Sequence, residues 1–422
     1  MRATGRIAAS AEAASATAPP GWARAERIVA MLVVGAVAIR YNLPADIPLS
    51  FLVSLVVLPM TWRALAAHRW AVPISVLAIL AAISGVVITE SRSSEVAVSQ
   101  SMMVSVSVRI LLLVVVVACL LWARMVLGTR STVLVFGVGS LLSLAVAGVN
   151  LDNIWKFSFA VPVTLVVLSL PWIWGHRVRE ILCLGALAGV SAFADSRSLA
   201  AMLAIAAMVL VLDRPSSRGA ARSVGAWSAL LRLAIIGVTA YLVVQAAILD
   251  GVLGEGVRER TELQIEQSGS ALTGGRPEMG AAVALIADRP TGYGSGALVT
   301  YDERQLGKGG MAGLGYDPDN GYVDEYMFGR GFEVHSLIGD LWLRFGLVGA
   351  LLAVVVLLVV VHRAGHGIAT HAISAAALFL AVRAVWDFAF SPIGSVMLYL
   401  PLTLALLLPE RERATSPSPR GP

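Results

Sequence analysis

Lysine is almost missing from this sequence. Lys156 and Lys308 are the only two in 422 residues, and arginine supplies the rest of the 32 basic side chains, a skew that a GC-rich genome produces. Charge is scarce altogether: 14% of residues are Asp, Glu, Lys or Arg, against about 25% in soluble domains. That excludes a string of soluble domains. Only Cys119 and Cys183 are cysteines, and both fall inside apolar runs, so no disulfide framework is implied. The first stretch, Met1–Pro20, is rich in Ala and Ser and has no apolar core. It predicts a disordered cytoplasmic tail rather than a cleaved signal. The net charge of +5 is not a nucleic-acid signal, because most arginines sit in short segments between apolar runs.

What the chain has in abundance is long apolar runs. Hydrophobic residues make up 57% of it, with a mean hydropathy of +0.79. Runs near 20 residues recur, each long enough to cross about 30 Å of hydrocarbon as a helix. Only helices and closed barrels satisfy their backbone groups inside lipid. The expected fold is therefore an all-α polytopic bundle of about twelve spans with one large external loop containing short helices. The spans are placed at roughly 27–41, 47–62, 70–89, 101–123, 132–149, 157–173, 180–194, 198–212, 227–249, 337–361, 371–389 and 394–408. This divides the chain into a cytoplasmic tail (1–26), spans 1–9 (27–249), a hydrophilic external loop (250–336), spans 10–12 (337–408) and a second cytoplasmic tail (409–422).

Orientation follows from the arginine bias of short loops. With the N-terminus inside, the inner loops hold Arg63, Arg69, Arg124, Arg130, Arg177, Arg179, Arg214, Arg218, Arg222 and Arg363, with Arg411, Arg413 and Arg420 at the end. The outer loops hold Arg92, Lys156 and Arg197. Both termini are expected in the cytoplasm, and the protein in the inner (cytoplasmic) membrane. Trp62, Trp70, Trp122, Trp155, Trp172, Trp174 and Trp342 lie at span ends, as an interfacial aromatic belt requires.

Within the loop, residues 256–268 read as a short polar helix, and Pro277 as the first position of another. Met279–Ala287 is apolar enough to lie on the membrane surface, Asp288–Pro290 ends that helix, and 292–321 reads as glycine-rich and irregular. Gly292, Gly294 and Gly296 have no βαβ context and form no dinucleotide fingerprint. They predict a flexible turn that lets sugar or phosphate approach the backbone. The acidic run from Asp317 to Glu325 lacks the spacing of a calcium loop and reads as a solvated turn.

Three passages resemble the O-antigen ligase and polymerase family of lipid-linked glycan transferases. They are Asp195-Ser196-Arg197-Ser198; Gly275-Arg276 with the following helix and Pro290-Thr291-Gly292-Tyr293-Gly294-Ser295-Gly296; and His335-Ser336-Leu337 with Phe345-Gly346-Leu347-Val348-Gly349. The likeness covers roughly residues 150–360. Ser336 stands where that family usually has Asn, and Arg344 where an acidic residue is common.

The resemblance implies transfer of a glycan from an undecaprenyl-diphosphate carrier to an acceptor hydroxyl on a glycan or lipid, outside the cytoplasmic membrane, with inversion. It implies membrane lipid as surroundings and no cofactor or metal. Such chemistry needs a base for the hydroxyl and donors for the diphosphate. His335, just before a span, is the candidate base, because a helix N-terminus favours neutral imidazole. Glu333 and Asp340 are the sequence neighbours able to orient its ring. Arg197 and Arg276 are candidates for the diphosphate, since guanidinium groups pair phosphate bidentately. Arg289 is a third, and Arg109, an arginine inside span 4 with no local partner, a fourth. Arg383 and Asp387, four apart, read as a neutralising pair. The alternatives are a twelve-span transporter of a polar or lipid-linked substrate, and a peptidoglycan-type glycosyltransferase with an external catalytic Asp.

Overall fold

The computed structural model describes residues 21–213, 259, 262, 276–329 and 331–411. In chain order the helices are α1 (Gly21–Val37), α2 (Leu49–Ala67), α3 (Ala71–Ser91), α4 (Gln100–Leu127), α5 (Thr129–Ala147), α6 (Ala160–Leu168), α7 (Arg177–Phe193) and α8 (Arg197–Leu212). They continue with α9 (Glu278–Asp288), α10 (Tyr301–Ala312), α11 (Leu337–Ala369), α12 (Ala375–Phe390), α13 (Ile393–Val396) and α14 (Leu400–Leu407). Two π-helical turns, Trp155–Phe159 and Tyr322–Met327, interrupt the pattern. The only strands among the described residues are the pair β1 (Asn42–Leu43) and β2 (Ile47–Pro48), which are antiparallel.

The architecture is that of an all-α membrane protein. Among the described residues five helices, α2, α3, α4, α5 and α11, are long and apolar enough to cross a membrane. Their outward faces carry large apolar side chains: Val56 is 80% exposed and Phe193, on the shorter α7, 96%. Such faces are a liability in water and are at home against lipid tails. A helix that is apolar all round is buried all round, and α4 shows this. Leu112, Leu113 and every residue from Val115 to Ala123 are buried, beneath α1, α2, α3, α5 and α14. Ser99 starts α4 by accepting the Met102 N–H, and Gly128, at φ +80°, separates α4 from α5.

Residues 276–334 build a second small core on top of α11, from Ala281, Leu285, Tyr293, Met311, Phe328 and Phe332 among others. Within it α9 crosses α10 at Gly280 and Gly310. A Cβ on either glycine would meet the other's carbonyl oxygen at 2.1–2.3 Å. The loop is anchored to the bundle where α11 breaks. Gly346 adopts φ +64°, ψ −151°, a conformation open essentially to glycine alone. Nearby, the Leu343 carbonyl accepts the amides of Tyr293 and Gly294.

Several expectations change. The stretch 292–321 is not irregular, because Thr300 and Glu303 form a reciprocal capping box that starts α10. Met279–Ala287 packs one face inward and leaves another exposed. Its Ala281, Ala282 and Leu285 are buried in the loop core, and Met279 and Val283 are its exposed apolar residues. Gly292, Gly294 and Gly296 are packing positions. A Cβ at Gly294 would lie 2.6 Å from Thr89 Oγ1 and one at Gly292 2.8 Å from Gly346. The span expected at 157–173 is a π turn followed by the nine-residue α6, and that at 394–408 is split into α13 and α14. The span at 227–249 and the polar helix at 256–268 lie outside the described residues.

Candidate active site

His335 sits on the connecting segment between the loop core and α11, with its backbone at φ +48°. For a residue with a Cβ that conformation is uncommon and needs support from its surroundings. The support is visible on both sides. The Val334 amide donates to Asp340 Oδ1, whose Oδ2 accepts the Ile393 amide, both at 2.9 Å. Ser336 caps α11 by accepting the Gly339 N–H, and its hydroxyl donates to the Phe388 carbonyl. Arg344 is buried and donates from Nε to the Phe332 carbonyl at 2.8 Å. Ser336 and Arg344 thus both hold the segment that presents the histidine.

The imidazole is oriented by Glu278 through Tyr322, not by Glu333 or Asp340. Tyr322 Oη donates to Glu278 Oε1 at 2.5 Å and lies 2.5 Å from His335 Nδ1. Burial, then the Glu278 charge beside it, pushes the Tyr322 phenol well above its ordinary value, so it keeps its proton. Burial raises the Glu278 carboxyl, but His335 Nδ1, 3.6 Å from Oε1, and the hydrogen bond from Tyr322 outweigh it and hold the group below the usual carboxylate range. An ionised carboxylate only accepts. The single phenolic proton therefore goes to Glu278, and the phenol oxygen accepts from His335 Nδ1–H. A neutral imidazole held in this way carries its lone pair on Nε2, the tautomer a general base requires. Glu278 Oε2 is buried with no partner among the described residues.

Cations gather beside this relay. The Arg276 guanidinium lies 5.5 Å from the ring centroids of both Trp386 and Phe390, at the end of α12, and within electrostatic reach of Tyr322. Lys156, on the π turn before α6, is buried enough to lower its ammonium pKa. Arg276 and Arg197 lower it further, against the opposing Asp195. Arg197 opens α8 and pairs with Asp195 at 3.8 Å.

Lys156 also reaches a cavity of about 420 Å³, which is lined by Arg40, Arg109, Lys156, Arg383 and Tyr399 among others. Neither His335 nor Arg276 lines it, so Lys156 is the link between cavity and relay. Arg109 is not without a partner: it pairs with Asp46, on the turn between β1 and β2. Arg383 pairs with Asp387 at 3.1 Å as expected, yet its guanidinium also stacks 4.5 Å from the Tyr399 ring centroid. Arg40 hydrogen-bonds the hydroxyl of the same tyrosine. The Nε atoms of Arg40 and Arg109 are buried with no partner among the described residues.

Of the residues expected from sequence, Arg276 and Arg197 both act on the Lys156 ammonium, Arg276 also reaches Tyr322, the neighbour of His335, and Arg109 lines the cavity. Arg289 does not join them. It contacts Glu95 at 3.8 Å and the Tyr293 ring, on the side of the α3–α4 connection. Sequence reasoning misses Glu278, Tyr322 and Arg40. Glu278 is signalled only by standing two residues after Arg276 in a first helical turn. Tyr322 hides in the acidic run. Arg40 ends an apolar run on the side where the arginine bias leaves few arginines. Lys308 holds part of that acidic run, pairing with Asp319 at 3.0 Å and Asp324 at 2.9 Å, and the described residues contain no metal-ligand cluster. No family model, no curated protein and no solved structure matches this chain.

Proposed function

We propose that the protein is a membrane glycosyltransferase. It moves a glycan from an undecaprenyl-diphosphate carrier to an acceptor hydroxyl on the outer side of the cytoplasmic membrane, as an O-antigen ligase or a polysaccharide polymerase does. The observation that carries this reading is the Glu278–Tyr322–His335 relay, with Arg276 in electrostatic reach of Tyr322 and Lys156 in reach of Arg276. In the reaction the acceptor O–H gives its proton to His335 Nε2 as its oxygen attacks the anomeric carbon from the face opposite the diphosphate. The bond from that carbon to the diphosphate oxygen breaks, and undecaprenyl diphosphate leaves with the electron pair. Configuration inverts. Arg276, Arg197 and Lys156 stabilise the charge that develops on the leaving group, and Arg109 and Arg40 extend the cationic path into the bundle.

The test is glycan transfer from lipid-linked donor in membranes carrying wild type, His335→Ala or Arg276→Ala at matched protein levels. Loss of transfer in both variants is expected, and full transfer in both removes the mechanism. A reporter fused at residue 300 should register as external. A transporter of an anionic substrate is the second reading, favoured by the four cations lining the cavity. Uptake that survives His335→Ala but fails in Arg109→Ala would select it.

A further inference from the structure

The surroundings of His335 differ in character on its two flanks. On one flank, Trp386 and Phe390 pack together at 4.6 Å, and the Arg276 guanidinium covers them both. On the other, Tyr322 and Tyr326 lie nearly parallel, 17° apart with centroids at 6.4 Å. The Tyr326 ring stands edge-on to the imidazole at 6.4 Å. Tyr326 is 69% exposed and Tyr322 37%. Around this second pair Arg304 and Lys308 are engaged by Asp319 and Asp324, and the remaining carboxylates carry an acidic excess. Glu325, Asp317 and Asp319 are exposed, and Lys308 takes up Asp319 and Asp324 but neither Glu325 nor Asp317.

We infer that the Tyr322–Tyr326 pair is the seat of the acceptor, and that the acceptor is an uncharged pyranose. This rests on the transferase reading above. A diphosphate is drawn to the Arg276 flank and repelled from the acidic one, so the donor leaves the tyrosine flank open. A pyranose has one face of polarised C–H bonds and a rim of hydroxyls. The C–H face complements the negative face of an aromatic ring, and the rim meets carboxylates that only accept hydrogen bonds. A phosphorylated sugar would meet the same carboxylates as like charges. The Tyr326 ring lies against the imidazole whose Nδ1 is occupied, so a sugar resting on it has its hydroxyls beside the free Nε2. The tyrosine pair owes its position to the π turn Tyr322–Met327, a distortion that often marks a functional site. That turn places one tyrosine in the relay and leaves the other outside it.

The test is saturation-transfer NMR on the purified full-length protein in detergent. The probes are uncharged methyl pyranosides of several configurations, a methyl pyranoside 6-phosphate and a serine-containing peptide. Saturation should pass from aromatic protons to the ring protons of at least one uncharged pyranoside. Binding should weaken roughly tenfold or vanish in Tyr326→Ala, survive in Tyr326→Phe and be poorer for the phosphate. Unchanged binding in Tyr326→Ala, or binding of the peptide alone, overturns the inference. Pyranoside binding that depends on Tyr326, in a protein that transfers no glycan, keeps a sugar site but removes its role as acceptor seat, and there the transferase reading fails by itself.

Discussion

The two ends of the helix bundle use the same residue types for different purposes. At the end away from the 276–334 loop, arginines are consumed by structure. Arg124 donates to the carbonyls of Ala405, Leu406 and Leu408, satisfying the last turn of α14. Arg363 donates to Leu407 O, and Arg177 and His371 both hold Asp213. At the loop end Arg92 and Arg344 are tied down too, on the Tyr293 and Phe332 carbonyls, but Arg40, Arg109, Lys156 and Arg383 surround a cavity, and Arg276 covers aromatic rings. An arginine that ends on backbone carbonyls is a staple. One that ends in a cavity beside other cations suffers their repulsion, and an anionic ligand relieves it. Geometry separates the two uses, and composition does not.

The largest expected effect lies at His335. Its replacement by Ala should lower glycan transfer by roughly 10²–10⁴-fold, the usual worth of a general base, while thermal unfolding in detergent barely moves. Next, Tyr322→Phe keeps the ring but cuts the path from Glu278 to the imidazole. Transfer should drop about tenfold, the value of one charge-assisted hydrogen bond, and a rate equal to wild type would show that the relay orients nothing.

The contrast between the ends can be tested with one pair of substitutions. Arg40→Ala should raise the KM for lipid-linked donor several-fold, with a smaller loss of stability from its bonds to the Phe157 carbonyl and the Tyr399 hydroxyl. Arg124→Ala should do the reverse, costing about 2 kcal/mol of stability through orphaned carbonyls with an unaltered KM. If both arginines behave alike, the distinction between staple and ligand site collapses.

The smallest effect concerns Glu278. Its carboxyl titrates lower in the folded protein than in the unfolded chain. Its stabilising contribution is therefore complete above the ordinary carboxylate range and is lost as pH falls through the folded value. Unfolding of wild type and Glu278→Gln, followed across acid pH, should differ at neutral pH and converge toward low pH. A constant gap would contradict the linkage.

Much of the bundle was legible because lipid imposes a simple rule. Runs such as Gln100–Leu127 have no way to satisfy their backbone in hydrocarbon except as helices, and the structure makes that run its central helix. His335 was legible by its place before α11. Its orienting groups were not, because Glu278 lies 57 residues before it and Tyr322 13 residues before it in a different element. The capping box Thr300–Glu303 was readable in principle and is hidden by the glycines on either side of α10. Arg109 looked unpartnered because Asp46 is 63 positions away.

By itself, then, the sequence determined the helical, lipid-compatible architecture and the placing of one histidine at a span's start. Both follow from local hydropathy and backbone hydrogen bonding, which act over one or two turns. Only the tertiary structure decided which carboxylate orients the imidazole, which arginines end on carbonyls and which face a cavity, and that a glycine series packs rather than binds. Those outcomes depend on contacts between elements far apart in the chain, where a hydrogen bond is set by a few tenths of an ångström that no periodicity encodes.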